Sequence, residues 1–529
     1  MTLDPTGRFP YPSRRMPVWA RNVVATSQPL ATQAGLAAMQ AGGNAVDAAL
    51  AAAIALTVVE PTSNGVGADA FAIVWDGRTM YGMNGSGRAP TAWNPERFAG
   101  LERMPDVGWD SVTVPGAVDL WRRLSLRFGR LDFERLFDAA IRYARDGFPV
   151  GPITAFHWSA AVKRLAGFTE FMRVFFPEGR APHAGEIFRN PDLARSLAEI
   201  AMSGGESFYR GALATAIADA AAAEGGALTM QDLARHATLD VEPIRVTFRD
   251  VELHELPPNG QGLAALLALG VLERLPLEVH ELDSAESIHF QIEAMKLGIA
   301  EASAKIADPE SMRVKPKTLL DEERLDALAQ KIDPQHARRL QVALPTNPGT
   351  VCLATADAEG RMVSFIQSNY RGFGSGIVVP GTGITMQNRG AGFMLERGHP
   401  NCVAGGRRPF HTIIPGFVTR GGAPEMAFGW MGGAMQPQGH VQLLVRMYVH
   451  GQDPQAACDA PRWFLDDSGT VFLEPGFPKG VQEGLRSRGH LVAMDGAFGL
   501  FGGAQIVRRV GDACVAASDS RKDGQAGGF

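Results

Sequence analysis

The chain has 529 residues, 45% hydrophobic and 20% charged, with a net charge of −5. That length allows a large buried core, as one big α/β unit or two to three domains. The dispersed basic residues exclude the electrostatic footprint of a nucleic-acid binder, and Ala48–Val59, the most apolar stretch, is too short to cross a bilayer. The first nineteen residues carry acid, prolines and paired arginines but no apolar segment of the secretory kind. Cys352, Cys402, Cys458 and Cys514 lack CxxC spacing and histidine company. The expectation is a cytoplasmic, reduced protein with no metal, cofactor, nucleic-acid or membrane partner.

Apolar residues recur at helical spacing from Pro29 to Val59, interrupted at Gly42-Gly43, with a second helix from Asn44. A glycine-bearing loop, 61–67, leads to a strand over Ala70–Trp75 closed by Asp76-Gly77. Residues 111–150 and 190–235 read as mainly helical, as does Ser284–Ala307. The charged stretch 308–349 reads as a loose tail ending in the turn formers Leu344-Pro-Thr-Asn-Pro-Gly349. Beyond it, strands are predicted over Val351–Ala356 and Met362–Gln367, near Gly383–Met386, Thr412–Val418 and Ala504–Val510, with one helix over Gln436–His450. A helix-rich part, 1–349, followed by a strand-rich part, 350–529, fits a sheet structure held between helical layers.

The joint at Gly349-Thr350 draws attention for three reasons. The residues before it offer little packing to lose on cleavage. The hairpin after it has a turn at Asp357-Ala-Glu-Gly360; with Gly360 in the left-handed position, the register pairs Thr350 with Ser368. Downstream, Gly432-Gly433 allow backbone N–H groups to approach a reacting carbonyl as an oxyanion hole. A threonine freed at an N-terminus holds both halves of a nucleophile–base pair. Its hydroxyl attacks, and its α-amine, of reference pKa about 7.7–8.0, takes the proton.

Several ordered segments extend this reading: VVATSQPLATQAG (Val23–Gly35), GGNAVDAALAAAIALTVVEPTSNGVGADAF (Gly42–Phe71), TVPGAVDLW (Thr113–Trp121), RDGFPV (Arg145–Val150), LPPNGQG (Leu256–Gly262), IHFQIEAMKLGIAEA (Ile288–Ala302), FGSGIVVPGTGI (Phe373–Ile384) and SDSRKDGQAGGF (Ser518–Phe529). The chain resembles the γ-glutamyltranspeptidase family throughout. The resemblance implies a four-layer αββα sandwich of the Ntn-hydrolase kind, an α/β (α+β) fold. It further implies a precursor cut into 1–349 and 350–529, which stay together as a heterodimer that can dimerise further. Thr350 is implied as nucleophile, Ser368 as the hydroxyl that orients it, and Gly432 and Gly433 as the oxyanion-hole glycines.

The recognition residues depart from the family pattern. The position expected to hold a carboxylate-clamping arginine is Ser86, with Arg88 two places on. The expected serine pair reads His411-Thr412, the acidic position for a glutamyl amine falls on Gly392, and a neighbouring amide position is Arg389. An ammonium would lose its counter-charge and meet a cation. The site therefore suits a small amide carrying a carboxylate and no α-amine, hydrolysed by water. Arg389, His411, Thr412, Arg88 and Tyr370 are its candidate binding residues. This pattern is similar to the cytoplasmic branch of the family that includes oxamate amidohydrolase. The short link from Phe393 to Pro409, without a lid, predicts an open pocket. The alternatives are a γ-glutamyltransferase or glutathione hydrolase, and an uncut, non-catalytic scaffold. Gly65-Val-Gly67 lacks the full nucleotide fingerprint. His289 and Glu293 stand one helical turn apart but lack a third metal ligand in the sequence.

Overall fold

The computed structural model describes residues 15–339, 349–494 and 499–529. Asn347 and Pro348 of the joint lie outside them. Two seven-stranded antiparallel sheets form the centre. The first runs Gln525–Gly528, Val23–Thr26, Gly349–Ala356, Met362–Tyr370, Asp69–Trp75, Met80–Gly85, Leu239–Val241. The second runs Val18–Ala20, Ala513–Ser518, Gly503–Val510, Ala423–Met431, Pro415–Arg420, Val251–Glu255, Ile244–Phe248. Each sheet takes strands from both sides of Gly349, so the two parts of the chain are intertwined.

The sheets face each other across an apolar layer. Val23, Phe71, Ile73, Cys352, Ala354 and Ile366 come from one sheet, and Phe417, Ala427, Val507 and Ala516 from the other. Contact is close because small residues meet: a Cβ on Gly429 would sit 2.7 Å from the Cys352 Cβ. Helices cover the outer faces. Pro29–Gln40, Ala45–Val59 and Ala117–Phe128 lie on the first sheet; Gly262–Leu272, Ala285–Lys305 and Met435–Leu444 lie on the second. The four-layer αββα order is complete. Ala45–Val59 is buried at every position, as its uniformly apolar sequence requires. Asn44 and Asp47 close its start with a capping box.

Three expectations need correction. Residues 308–339 are no loose tail, because Glu322–Ala329 is helical and buries Leu325 and Leu328, with Leu319 and Ile332 beside them. The charges lie on the exposed face and mask this core stripe. Gly383–Met386 forms no strand, only isolated bridges from Thr385 to Val378 and from Met386 to Gly67. The helix predicted to reach His450 passes at Val445 into a π-helical turn.

Candidate active site

Thr350 opens the second residue of Gly349–Ala356 and pairs with Ser368 across the hairpin. Gly360 takes φ 88°, the left-handed turn on which the predicted register depends. Ser368 pairs in turn with Asp69 on the next strand. Cross-strand partners share a face, so Thr350, Ser368 and Asp69 form one row over three adjoining strands.

Ser368 Oγ is the hub of this row. It accepts from the Tyr370 N–H at 2.8 Å and from Arg389 Nη2 at 3.1 Å, and the Thr350 hydroxyl oxygen lies 3.1 Å from it. It donates to the Gly349 carbonyl oxygen at 2.6 Å. The Gly349 carbonyl is thus polarised by the residue beside the Thr350 hydroxyl. A register shift falls between Gly349 and Thr350, and Tyr370 takes φ 77°, a conformation costing a non-glycine residue roughly 1–3 kcal/mol.

Arg389 is fully buried, and its Nε has no partner among the described residues. Its Nη1 donates to Thr412 Oγ1 at 2.8 Å, and its guanidinium lies 4.4 Å from the Tyr370 ring centre. Gln261 ties this end to the glycine pair, with Nε2 donating to the Thr412 carbonyl at 2.5 Å and the Gly433 carbonyl at 2.9 Å. Gly432 and Gly433 turn the chain at φ 120° and 58° immediately after Ala423–Met431. Ser364, the partner of Ala354, bonds the Phe428 carbonyl, while Cys352 abuts Gly429. The two facing strands therefore run in opposite directions, and the start of Gly349–Ala356 lies over the end of Ala423–Met431.

Asp69 and His411 add a second buried layer of charge. His411 Nε2 lies 3.1 Å from Asp69 Oδ2, and both residues have no exposed surface. Burial, then Arg389, pushes the His411 ring well below its usual pKa, so it is neutral. The Ile413 N–H points at its Nδ1, so Nε2 carries the proton and donates to Asp69. Burial raises the Asp69 carboxyl to about 7, although Arg389 and the N–H groups of Gly116 and Gly87 oppose that rise. Burial lowers Arg389 to about 10, which leaves it charged at neutral pH.

Of the residues singled out in the sequence, Thr350, Ser368, Tyr370, Arg389, Thr412 and Gly433 are joined through these contacts, and His411 adjoins them through Asp69. Arg88 is not brought to them. Its guanidinium pairs with Glu310 at 3.0 Å and Asp308 at 3.5 Å, and it lines a separate cavity of about 460 Å³ with Arg235, His236 and Arg408. Ser86, at the expected arginine position, is fully buried and bonded to Asn84 and Asn259. At Gly392 a Cβ would meet the Phe410 carbonyl oxygen at 2.6 Å, so the backbone leaves no room for an acid. Against the expected open pocket, Thr350 is only 3% exposed, with the Arg371–Gly372 backbone close against Gly349. Asp69 and Gln261 were missed. Both lie in segments that carry the resemblance, but only three-dimensional proximity gives them a role.

Facing sheets between helical layers, with a threonine hydroxyl at the start of a central strand, define a hydrolase of the N-terminal-nucleophile class. The sequence profile of the family described as Gamma-glutamyltranspeptidase matches residues 31–529, and the chain belongs to that family. It is an enzyme of hydrolysis or acyl transfer at C–N amide bonds. It is similar to the cephalosporin acylase from Bacillus halodurans, at 45% identity and TM-score 0.95, covering 99% of this chain and 98% of that one. The oxamate amidohydrolase proenzyme of Klebsiella pneumoniae is 36% identical over 94% of this chain and 97% of its own length. The glutathione hydrolase-like YwrD proenzyme of Bacillus subtilis is 33% identical over 97% and 99%. No helix among the described residues is long and apolar enough to cross a membrane.

Proposed function

We propose that this chain is a proenzyme that cuts itself between Gly349 and Thr350 and then hydrolyses a small amide whose acyl half carries a carboxylate and no α-amine. The observation that carries the reading is the Ser368 hydroxyl, placed between the Thr350 hydroxyl and the Gly349 carbonyl. In the first step Thr350 Oγ attacks the Gly349 carbonyl carbon and the C–N bond breaks, giving an ester. The break frees the Thr350 α-amine, and water then hydrolyses the ester to the Gly349 carboxylate and the free Thr350 hydroxyl. In turnover the same oxygen attacks the substrate carbonyl, the free amine takes its proton and passes it to the leaving nitrogen, and water cleaves the acyl-enzyme. Gly432 and Gly433 supply N–H groups to the oxyanion. Proenzyme relatives support the first step. So does a chain of Helicobacter pylori gamma-Glutamyltranspeptidase (25% identity, TM-score 0.58), which spends 95% of its own length on 62% of this one.

Arg389 is the carboxylate partner in this reading, with Thr412 and Tyr370 holding its guanidinium. Its bonds are to hydroxyls, and no carboxylate lies within ion-pair distance of it among the described residues. An α-ammonium has no comparable place, since Gly392 cannot carry an acid and Asp69 is engaged by His411 and backbone N–H groups. Oxamate and a glutaryl anilide satisfy this demand; a γ-glutamyl anilide does not. The test is a panel of the three, scored by ammonia or aniline release. Turnover of the γ-glutamyl anilide above both others would overturn the substrate class.

A further inference from the structure

His289 and Glu293, one turn apart on Ala285–Lys305, lack a third metal ligand in the sequence; the fold supplies one. His490, just before the strand Leu491–Met494, brings Nε2 to 2.8 Å from His289 Nδ1 and 4.0 Å from Glu293 Oε1. Single donor atoms of the three residues all lie within 4.8 Å of one another, and all three residues are buried. We propose that His289, Glu293 and His490 form a site for one divalent transition ion of the zinc type, joining residues from the two sides of the Gly349–Thr350 bond.

Two imidazole nitrogens and one carboxylate oxygen suit zinc-like ions, which bind such donors at about 2.0–2.2 Å; magnesium and calcium prefer oxygen alone. Burial keeps both rings neutral, lowering His289 and taking His490 to about 3. His289 Nε2 donates to the Asp333 carbonyl at 2.8 Å, so its Nδ1 lone pair faces inward. A backbone carbonyl behind the ring is the usual outer support of a histidine ligand. His490 fills that lone pair with its Nε2 proton, while its own Nδ1 is buried without a partner among the described residues. An entering ion moves that proton to Nδ1 and takes both inward lone pairs, with no net proton change at the rings.

Lys296 is the competitor. Its ammonium lies 2.7 Å from Glu293 Oε1 and 2.6 Å from the Arg338 carbonyl, and burial lowers its pKa. Arg488, on the His490 turn and paired with Glu286, is the other cation facing the rings. An ion on Oε1 displaces Lys296 toward the Arg338 carbonyl, which it already reaches. His289 and Glu293 precede Gly349 and His490 follows it. If the proposed cut is made, the ion links two polypeptides; that consequence rests on the cleavage reading, the site itself does not.

The experiment is titration of the metal-free full chain, as wild type and as Thr350→Ala, with Co²⁺, read by visible absorption and thermal midpoint. One equivalent should give the bands of a low-coordinate ion and a raised midpoint in both. Binding should weaken by ~10-fold or more in His490→Gln. In Lys296→Met it should be tighter. Absence of stoichiometric absorption from both wild type and Lys296→Met, or undiminished absorption in a folded His490→Gln, would overturn the site. Binding by uncut Thr350→Ala supports it whatever becomes of the cleavage reading.

Discussion

Around Thr350 the site is made of hydroxyls on adjoining strands, whereas two strands away Asp69 meets His411 and, with Arg389, which reaches back to Ser368, crowds three ionisable groups into protein with no exposed surface. The first region is fixed by local register: one turn residue, Gly360, determines that Thr350 faces Ser368. The second is fixed by burial of charge and is assembled from three distant parts of the chain. In the proposed reading the Thr350 end sets what kind of bond is broken, and the charged end sets which acyl group is accepted.

The largest expected effect breaks the first region alone. Thr350→Ala should persist as a single 56.6 kDa chain on a denaturing gel and lose at least ~10⁴-fold in kcat; a fully processed Thr350→Ala would contradict the nucleophile assignment. Ser368→Ala removes the donor to the Gly349 carbonyl and should slow processing by ~10²–10³-fold, by analogy with loss of an oxyanion donor, measured as the half-time of the precursor band. Arg389→Met addresses the second region. Losing one charged hydrogen bond of about 1.5–3 kcal/mol should lower kcat/KM for an anionic amide by roughly 10–100-fold through KM, with processing retained; a pure kcat loss would contradict a binding role.

Asp69→Asn sharpens the comparison through pH. A carboxyl raised from 3.8 to about 7 holds in the folded state a proton that the unfolded chain has already released. Its contribution to stability is therefore complete below about pH 4 and is lost as pH rises to about 7. The thermal midpoint of Asp69→Asn should fall less steeply across that window, although Glu60, also raised to about 7 by burial, keeps part of the slope. Activity of the wild type on an anionic amide should decline above pH 7, where Asp69 charges beside Arg389, and the variant should lack that decline. Identical profiles would remove Asp69 from the site. The smallest effect belongs to Arg88→Ala, expected within about twofold of wild-type activity, since part-exposed ion pairs contribute about 0–1 kcal/mol.

The same division explains what could be read in advance. The hairpin register, the capped helix at Asn44 and the row position of Ser368 follow from turn residues and period, which are local. Asp69 and Gln261 gain their roles only where separate segments converge, and Arg88, a candidate because it stands two places from Ser86, is drawn away by its pairing with Asp308 and Glu310. The helix Glu322–Ala329 is hidden in the sequence because four of its eight residues are charged while only Leu325, Leu328 and Ala329 are buried.

The most direct test is intact mass and N-terminal sequencing of purified, active protein. The account predicts two fragments, the smaller beginning at Thr350, with activity appearing in step with the cut. Full activity in an unbroken chain would contradict it.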